Sequence, residues 1–263
     1  VCSSDLFHNN SIKSLALDGN GDLLAGTDNG LYVYHNDTTP LQHIIHDSRN
    51  IQSLTNNIIW NIFADQEHNI WLGTDYGISL SRYNSALQFI PISQITGTGD
   101  GNQFYSLFRD SKGFYWFGGA NGLIRFTDPA GERHDAIWYR MGDKTYPLSH
   151  NRIRHIYEDK EQQLWIATDG SINRYDYATR QFIHYNIVDN TGTYNTNWTY
   201  YIFEDTAGQL WISTCLGGIF VVDKRKLMQS TSGQYIAEQN YSVHNGLSGM
   251  FINQIIPEIG RAS

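Results

Sequence analysis

The chain has 263 residues, a formal net charge of −8 and 40% hydrophobic residues. That length can bury a sizeable core. The acidic balance carries no basic stripe of the kind that nucleic acid requires, and no apolar run approaches the ~18 residues of a membrane span. Seventeen Tyr, twelve Phe, seven Trp and 24 Gly stand against five Pro; aromatic and β-branched runs between Gly and Asn turns predict an all-β chain.

Residues 1–6 (Val-Cys-Ser-Ser-Asp-Leu) and 258–263 (Glu-Ile-Gly-Arg-Ala-Ser) resemble translated sequencing adapter, one in each orientation. The native stretch is therefore expected over 7–257, as a metagenomic fragment, and such scars are kept out of fold reasoning. Cys2 then falls with the adapter. Cys215 remains alone, which leaves the redox compartment open, and in its apolar strand end it reads as a small buried thiol.

The first copy of an internal repeat is anchored at Asp18, and further anchors follow at Asp65, Asp110, Asp159 and Asp205, at intervals of 47, 45, 49 and 46 residues. Six residues after each anchor stands Leu24, Trp71, Trp116, Trp165 or Trp211; three before, Leu15, Ile62, Leu107, Ile156 or Ile202; eight before, Asn10, Asn57, Asn102, Asn151 or Asn197. The second copy parses into strands over Ile58–Ala64, Ile70–Thr74, Ile78–Tyr83 and Leu87–Ile92, with a tight turn at Asp75-Tyr76-Gly77 where Gly can take positive φ. The third copy has Gly119 where the second and fourth have Thr. The fourth repeats the pattern as Ile153–Glu158, Leu164–Thr168, Ile172–Tyr175 and Phe182–Tyr185, with Ser171 at the turn position of Gly77. A sixth copy breaks off at Phe251–Ile256, within its first strand.

Four short antiparallel strands cannot bury both faces alone, and stacking such sheets around an axis does bury them. The period lies between those of two known propeller repeats. The fold expected is an incomplete β-propeller of five four-stranded blades plus the first strand of a sixth. The repeated Trp is expected to fill the gap between blades and the anchor Asp to bond its own turn. The Asn series reads as capping of the crossover between blades, or as an inward ring of amides that touches a ligand.

One position breaks the regularity. Five residues before each anchor stand Lys13, Trp60, Tyr105, Arg154 and Tyr200, large aromatic or basic residues between the regular Asn and Leu or Ile positions of the repeat. Trp60, Tyr105, Arg154 and Tyr200 are the candidate ligand-binding residues, since aromatic faces stack on sugar rings and Arg forks bond hydroxyls and carboxylates. Ordinary blade-to-blade packing is the competing reading.

The runs Leu148-Ser149-His150-Asn151, Leu164-Trp165-Ile166-Ala167-Thr168-Asp169-Gly170 and Asn173-Arg174-Tyr175-Asp176, with their counterparts Leu54-Thr55-Asn56-Asn57, Trp71-Leu72-Gly73-Thr74-Asp75 and Arg82-Tyr83-Asn84, resemble the two-component regulator propeller repeat. The resemblance covers residues 10–257. It implies the periplasmic sensor region of a Bacteroidetes-type hybrid histidine kinase. It further implies an oligosaccharide ligand, further blades and a β-sandwich domain of the same sensor chain as partners, a homodimer, and no nucleic acid or membrane contact by this segment. The rival readings are a polysaccharide-active propeller hydrolase or lyase, a protein-binding scaffold, and a sensor with another output domain.

Catalytic and metal signals are weak. The carboxylates are mostly the repeated anchors and the second-turn Asp28, Asp75 and Asp169, where a glycosidase needs a unique pair. His43 and His46 lie three apart in an expected outer strand, on opposite faces. No cofactor motif is present, so no cofactor, metal or catalytic residue is expected.

Overall fold

The structure, a computed structural model, describes residues 11–35, 40, 42–93, 102–127, 136–145 and 147–255. Asn10, Cys2 and both adapter-like ends lie outside them.

Each of the five copies folds into a four-stranded antiparallel sheet. The first holds β1 (Ile12–Leu17), β2 (Leu23–Thr27), β3 (Gly30–Tyr34) and β4 (Gln42–Ile44). The second holds β5 (Ile59–Ala64), β6 (Ile70–Thr74), β7 (Gly77–Ser81) and β8 (Phe89–Pro91). The third holds β9 (Phe104–Arg109), β10 (Tyr115–Gly119), β11 (Gly122–Phe126) and β12 (Ile137–Tyr139). The fourth holds β13 (Ile153–Glu158), β14 (Leu164–Thr168), β15 (Ser171–Asp176) and β16 (Gln181–Tyr185). The fifth is built of β18 (Thr199–Glu204), β19 (Gln209–Thr214), β20 (Ile219–Asp223) and β22 (Gln239–Tyr241).

These sheets fall into two compact units, residues 1–138 and 139–263. In the first unit, Ile59 and Ile62 of β5 pack on Leu24, Leu31 and Val33 of the first blade, and Phe104 and Leu107 of β9 pack on Trp71, Ile78 and Leu80 of the second. In the second unit, Ile202 of β18 joins Trp165, Ala167 and Ile172 of the fourth blade. In the second, third and fifth blades the recurring Leu or Ile three residues before the anchor thus packs into the preceding blade. Leu15, its counterpart in the first blade, is 57% exposed.

The anchor Asp and the Trp six residues later form one device. Oδ1 of Asp110, Asp159 and Asp205 accepts from the backbone N–H groups two and four residues on, closing the turn. The other oxygen accepts the indole Nε1–H: Trp71 to Asp65 at 2.8 Å, Trp116 to Asp110 at 2.7 Å, Trp165 to Asp159 at 2.8 Å, Trp211 to Asp205 at 2.8 Å. A buried indole must find an acceptor, and the anchor supplies it. Asp18 closes its turn through Asn20 and Asp22 without an indole, since Leu24 stands there.

At the second turn, the Oγ1 hydroxyls of Thr27, Thr74 and Thr168 donate to the carbonyls of Gly30, Gly77 and Ser171 at 2.8–2.9 Å. Ser171 holds the left-handed turn conformation at φ 77°; its hydroxyl donates to the Tyr185 carbonyl. The third blade departs for a steric reason: a Cβ on Gly119 would lie 1.9 Å from the Gln103 carbonyl oxygen.

Several boundaries differ from expectation. The outer strand of the second blade begins at Phe89 and not Leu87, because Ala86 and Leu87 take φ of 51° and 56° in the turn. The fifth blade is interrupted between β20 and β22 by helix α1 (Lys224–Gln229), capped by Asp223, and by β21 (Tyr235–Ile236), which pairs in parallel with β17 (Ile187–Val188). The first strand of a sixth blade does not form: residues 251–255 have no regular structure, and Ile252 N–H donates to the Thr214 carbonyl of the fifth blade. A first strand is held by pairing with the second strand of its own blade, and none lies among the described residues. Cys215 is partly exposed and not buried, at the tip of the β19–β20 turn.

α1 delivers Lys224 into a buried cluster. Its ammonium lies 3.1 Å from Asp159 Oδ2 and 2.6 Å from Glu204 Oε1, and also contacts Glu161. Burial alone would lower its pKa; the hydrogen bonds to Glu161, Glu204 and Asp159 outweigh burial and hold it above the usual lysine value.

Candidate ligand site at the bulged inner strands

In all five sheets the pairing of first and second strand slips at the same place: between Ile12 and Ser14, Ile59 and Asn61, Phe104 and Ser106, Ile153 and His155, Thr199 and Tyr201. The residues left over are Lys13, Trp60, Tyr105, Arg154 and Tyr200. A β-bulge leaves one residue unpaired, bends its strand and re-aims its side chain. The irregular sequence position is therefore the one at which the fold exempts a residue from the packing alternation.

In the first unit these residues form a stack. The Lys13 ammonium sits 4.7 Å over the Trp60 ring, and Trp60 meets Tyr105 edge-on with centroids 5.5 Å apart. Trp60 Nε1 donates to Asp75 Oδ1 at 3.0 Å, and Gln103 Nε2 to the same oxygen at 2.6 Å. The Tyr105 hydroxyl donates to Gln103 Oε1.

In the second unit, the Arg154 fork donates to Asp169, Nε to Oδ1 at 2.8 Å and Nη2 to Oδ2 at 3.2 Å. Arg152 approaches the same carboxylate at 3.7 Å. The Arg154 guanidinium lies 4.6 Å over the Tyr200 ring, and Tyr200 meets Phe251 edge-on at 5.1 Å. The four candidate residues thus gather two by two, Trp60 with Tyr105 and Arg154 with Tyr200, one pair in each unit.

In the first and fourth blades the residue after the bulge bonds the next blade. Ser14 Oγ accepts from Ile62 N–H at 3.0 Å, and His155 Nδ1 from Ile202 N–H at 3.3 Å. His155 stacks on Tyr201 at 4.0 Å, and burial lowers its pKa to about 4. It is the neutral ring that can accept at Nδ1.

The Asn series divides. Asn57 Oδ1 accepts from His46 N–H at 2.6 Å and Asn151 Oδ1 from Met141 N–H at 2.7 Å, each just past the outer strand of the preceding blade. That is the crossover capping expected. Asn102 Oδ1 instead accepts from Asn121 N–H in its own blade's second turn, and Asn197 N–H donates to Asn195. His43 stacks on Tyr32 in β4 and His46 bonds the Leu54 carbonyl, so the two do not converge. Among the described residues no group of three or more His, Cys, Asp or Glu could hold a metal ion.

Sequence reasoning missed Asp75, Asp169, Gln103 and Arg152. It read the two Asp residues as turn formers, yet their side chains receive the bulge residues Trp60 and Arg154. The available signal was their place in the turn facing the inner strand: Asp75 N–H donates to Ile58 O, Ala120 N–H to Gln103 O, Asp169 N–H to Arg152 O and Cys215 N–H to Trp198 O.

Two clefts open in the second unit. One of about 410 Å³ is bordered by Ser149, Gly170, His184 and Asn197. The other, about 480 Å³, lies between the 189–194 loop and residues 238–245. Its Glu238 is already engaged by Asp223 N–H and the Tyr235 hydroxyl. No helix among the described residues is long and apolar enough to cross a membrane.

Residues 53–76, 98–121 and 147–170 match the model of the two component regulator propeller. Over 95% of its length the chain is 99% identical to the extracellular domain of BT4673 from B. thetaiotaomicron, assigned as a hybrid two-component system, with a TM-score of 0.62. The chain spans 34% of that domain. The extracellular domain of BT3049 from the same organism is 23% identical over 92% of this chain and 30% of its own, with a TM-score of 0.70. PorZ of Porphyromonas gingivalis, 14% identical over 93% of this chain and 35% of its own, shares the fold at a TM-score of 0.66. No curated protein matches the chain. Five four-stranded blades, four of them with one recurring Asp–Trp lock and three matched by the family model, and near-identity to the extracellular domain of a hybrid two-component system make the chain a member of the two-component regulator propeller repeat proteins.

Proposed function

We propose that the chain is a non-catalytic, ligand-reading segment of the periplasmic sensor region of a hybrid histidine kinase, and that its ligand is an oligosaccharide. One observation carries this reading: the register slips at the same position in all five sheets, and in all five the residue there is aromatic or basic. A scaffold that needed only packing has no use for re-aimed Trp, Tyr and Arg side chains at that position. Aromatic faces and Arg–Asp forks beside each other suit the apolar faces and hydroxyl groups of sugars. The carboxylates beside the bulge residues favour binding over proton transfer, since Asp75 accepts from Trp60 and Gln103, and Asp169 from Arg154.

Signalling then requires that the ligand bind one arrangement of the receptor better than another. The further blades, a β-sandwich domain and a homodimeric partner belong to this proposal. Calorimetric titration of the chain, and of the 99%-identical extracellular domain, with cello-, xylo-, manno- and galacto-hexaose and oligogalacturonate tests it. Binding abolished by Arg154→Gln or weakened by Trp60→Ala supports the reading. Binding that survives both substitutions refutes it.

A further inference from the structure

Trp198 stands two residues ahead of the bulge in the fifth blade, where the other blades place Ser11, Ile58, Gln103 and Arg152. It alone among these takes a left-handed backbone, φ 55°. For a side chain of this bulk that conformation is an outlier. Two backbone hydrogen bonds hold it: Trp198 N–H donates to the Asp169 carbonyl at 3.1 Å, and the Trp198 carbonyl accepts from Cys215 N–H at 3.0 Å. The strain secures no burial, because the residue is 47% exposed. A strained residue that the surroundings hold in place and leave facing solvent points to function.

Its surroundings are those of a sugar subsite. Asp169, against whose backbone it lies, carries the Arg154 fork and the nearby Arg152. Its neighbour Asn197 and Asp169's neighbour Gly170 both border the 410 Å³ cleft, with the Ser149 hydroxyl and the His184 ring on the same rim. Tyr200, two residues along, stacks under Arg154. Trp198 is thus an exposed aromatic residue whose backbone is fixed to the turn that carries Asp169, one residue along the chain from the cleft rim.

We propose that Trp198 is a stacking platform for one pyranose ring of an oligosaccharide, with Arg152 and the cleft rim reading the ring's substituents. This rests on the glycan-sensing reading and adds a specificity-determining residue that it does not require. The test uses Trp198→Asn and Trp198→Phe in the chain, and in parallel in the 99%-identical extracellular domain, against the same five oligosaccharides. Asn is among the residues that best tolerate a left-handed backbone, so W198N should melt at or above the parent temperature. It should bind the preferred oligosaccharide about tenfold more weakly, the loss expected for one aromatic contact, and W198F should retain most of the affinity. Comparison of the four neutral hexaoses with oligogalacturonate tells whether the stacked ring carries a carboxylate. A lowered melting temperature in W198N would make Trp198 a structural residue and overturn the proposal. Unchanged affinity in W198N, with affinity lost in R154Q, overturns the platform and leaves the sensing reading intact. Absence of binding by the parent to every oligosaccharide overturns both.

Discussion

Asp65 is the point at which the second and third blades share a carboxylate, and its removal from one donor at a time tests how the blades are locked. Oδ2 accepts from Trp71 Nε1 at 2.8 Å, Asn69 Nδ2 at 3.0 Å and, across the blade boundary, the Tyr115 hydroxyl at 3.1 Å. Oδ1 accepts from Asn69 N–H at 2.8 Å. Tyr115 and Trp71 are fully or almost fully buried, so no water replaces a lost donor. Burial and the neighbouring Asp65 carboxylate raise the Tyr115 pKa, so the phenol remains a donor across the accessible pH range. Tyr115→Phe removes one hydrogen bond to a charged acceptor and leaves the ring packed between Trp71 and Phe126. Three donors remain, so the cost falls at the low end of the charged-bond range, about 1.5 kcal/mol. Trp71→Phe removes a donor and part of a buried ring, about 3 kcal/mol in all. After Trp71→Phe the carboxylate leans harder on Tyr115, so the double variant should lose at least ~0.5 kcal/mol more than the sum of the singles. Urea melts followed by near-ultraviolet circular dichroism measure all four corners of the cycle. A Tyr115→Phe cost below about 0.5 kcal/mol, or strict additivity, would show that the shared carboxylate does not join the blades.

Two further outcomes follow from buried titratable groups. His155 has a folded pKa near 4 against 6.5 unfolded, so the unfolded state takes up its proton first as pH falls. The stability it allows is complete above about pH 6.5 and is lost between there and pH 4, at most about 3 kcal/mol in total. His155→Gln, which keeps an acceptor for Ile202 N–H, should flatten that part of the stability–pH curve measured by urea melts, and an unchanged slope would show that His155 is not the titrating group. Lys224→Met leaves Asp159 and Glu204 buried without their cation and should cost about 3–5 kcal/mol, partly restored by adding Glu204→Gln; thermal melts of the single and double variants check this, and a milder single variant would place the two carboxylates in contact with water.

The repeat was legible because its constraints recur. The Asp and Trp six residues apart meet in the second to fifth blades, so four copies of one spacing announce one lock, although that the two side chains bond to each other needed the structure. The Leu or Ile three residues before the anchor was equally plain, since its burial repeats in Ile62, Leu107, Ile156 and Ile202. What was not legible depends on single events. α1 enters the fifth blade once, with no second copy to compare. The strain at Trp198 comes from backbone bonds to two neighbouring turns and leaves no mark in hydrophobic pattern. Asp75 and Asp169 are turn formers by sequence, and only the bulge directs Trp60 and Arg154 onto their carboxylates.

The bulge explains how one blade design can carry different recognition chemistry. A position inside a regular strand points into a blade interface, where a change from Tyr to Arg would bury an unpaired charge. The bulge residue lies outside the strand register, so Lys13, Trp60, Tyr105, Arg154 and Tyr200 can differ while Ile62, Leu107, Ile156 and Ile202, two residues after the last four, stay apolar and buried. The residue between them does the tying: Ser14 and His155 bond the inner strand of the next blade directly after the variable position. Under the proposed function, recognition and cohesion in the first and fourth blades occupy adjacent residues on one strand, next to the single register slip. Substitutions at the bulge should change binding with little change in stability, whereas substitutions one residue later should do the reverse.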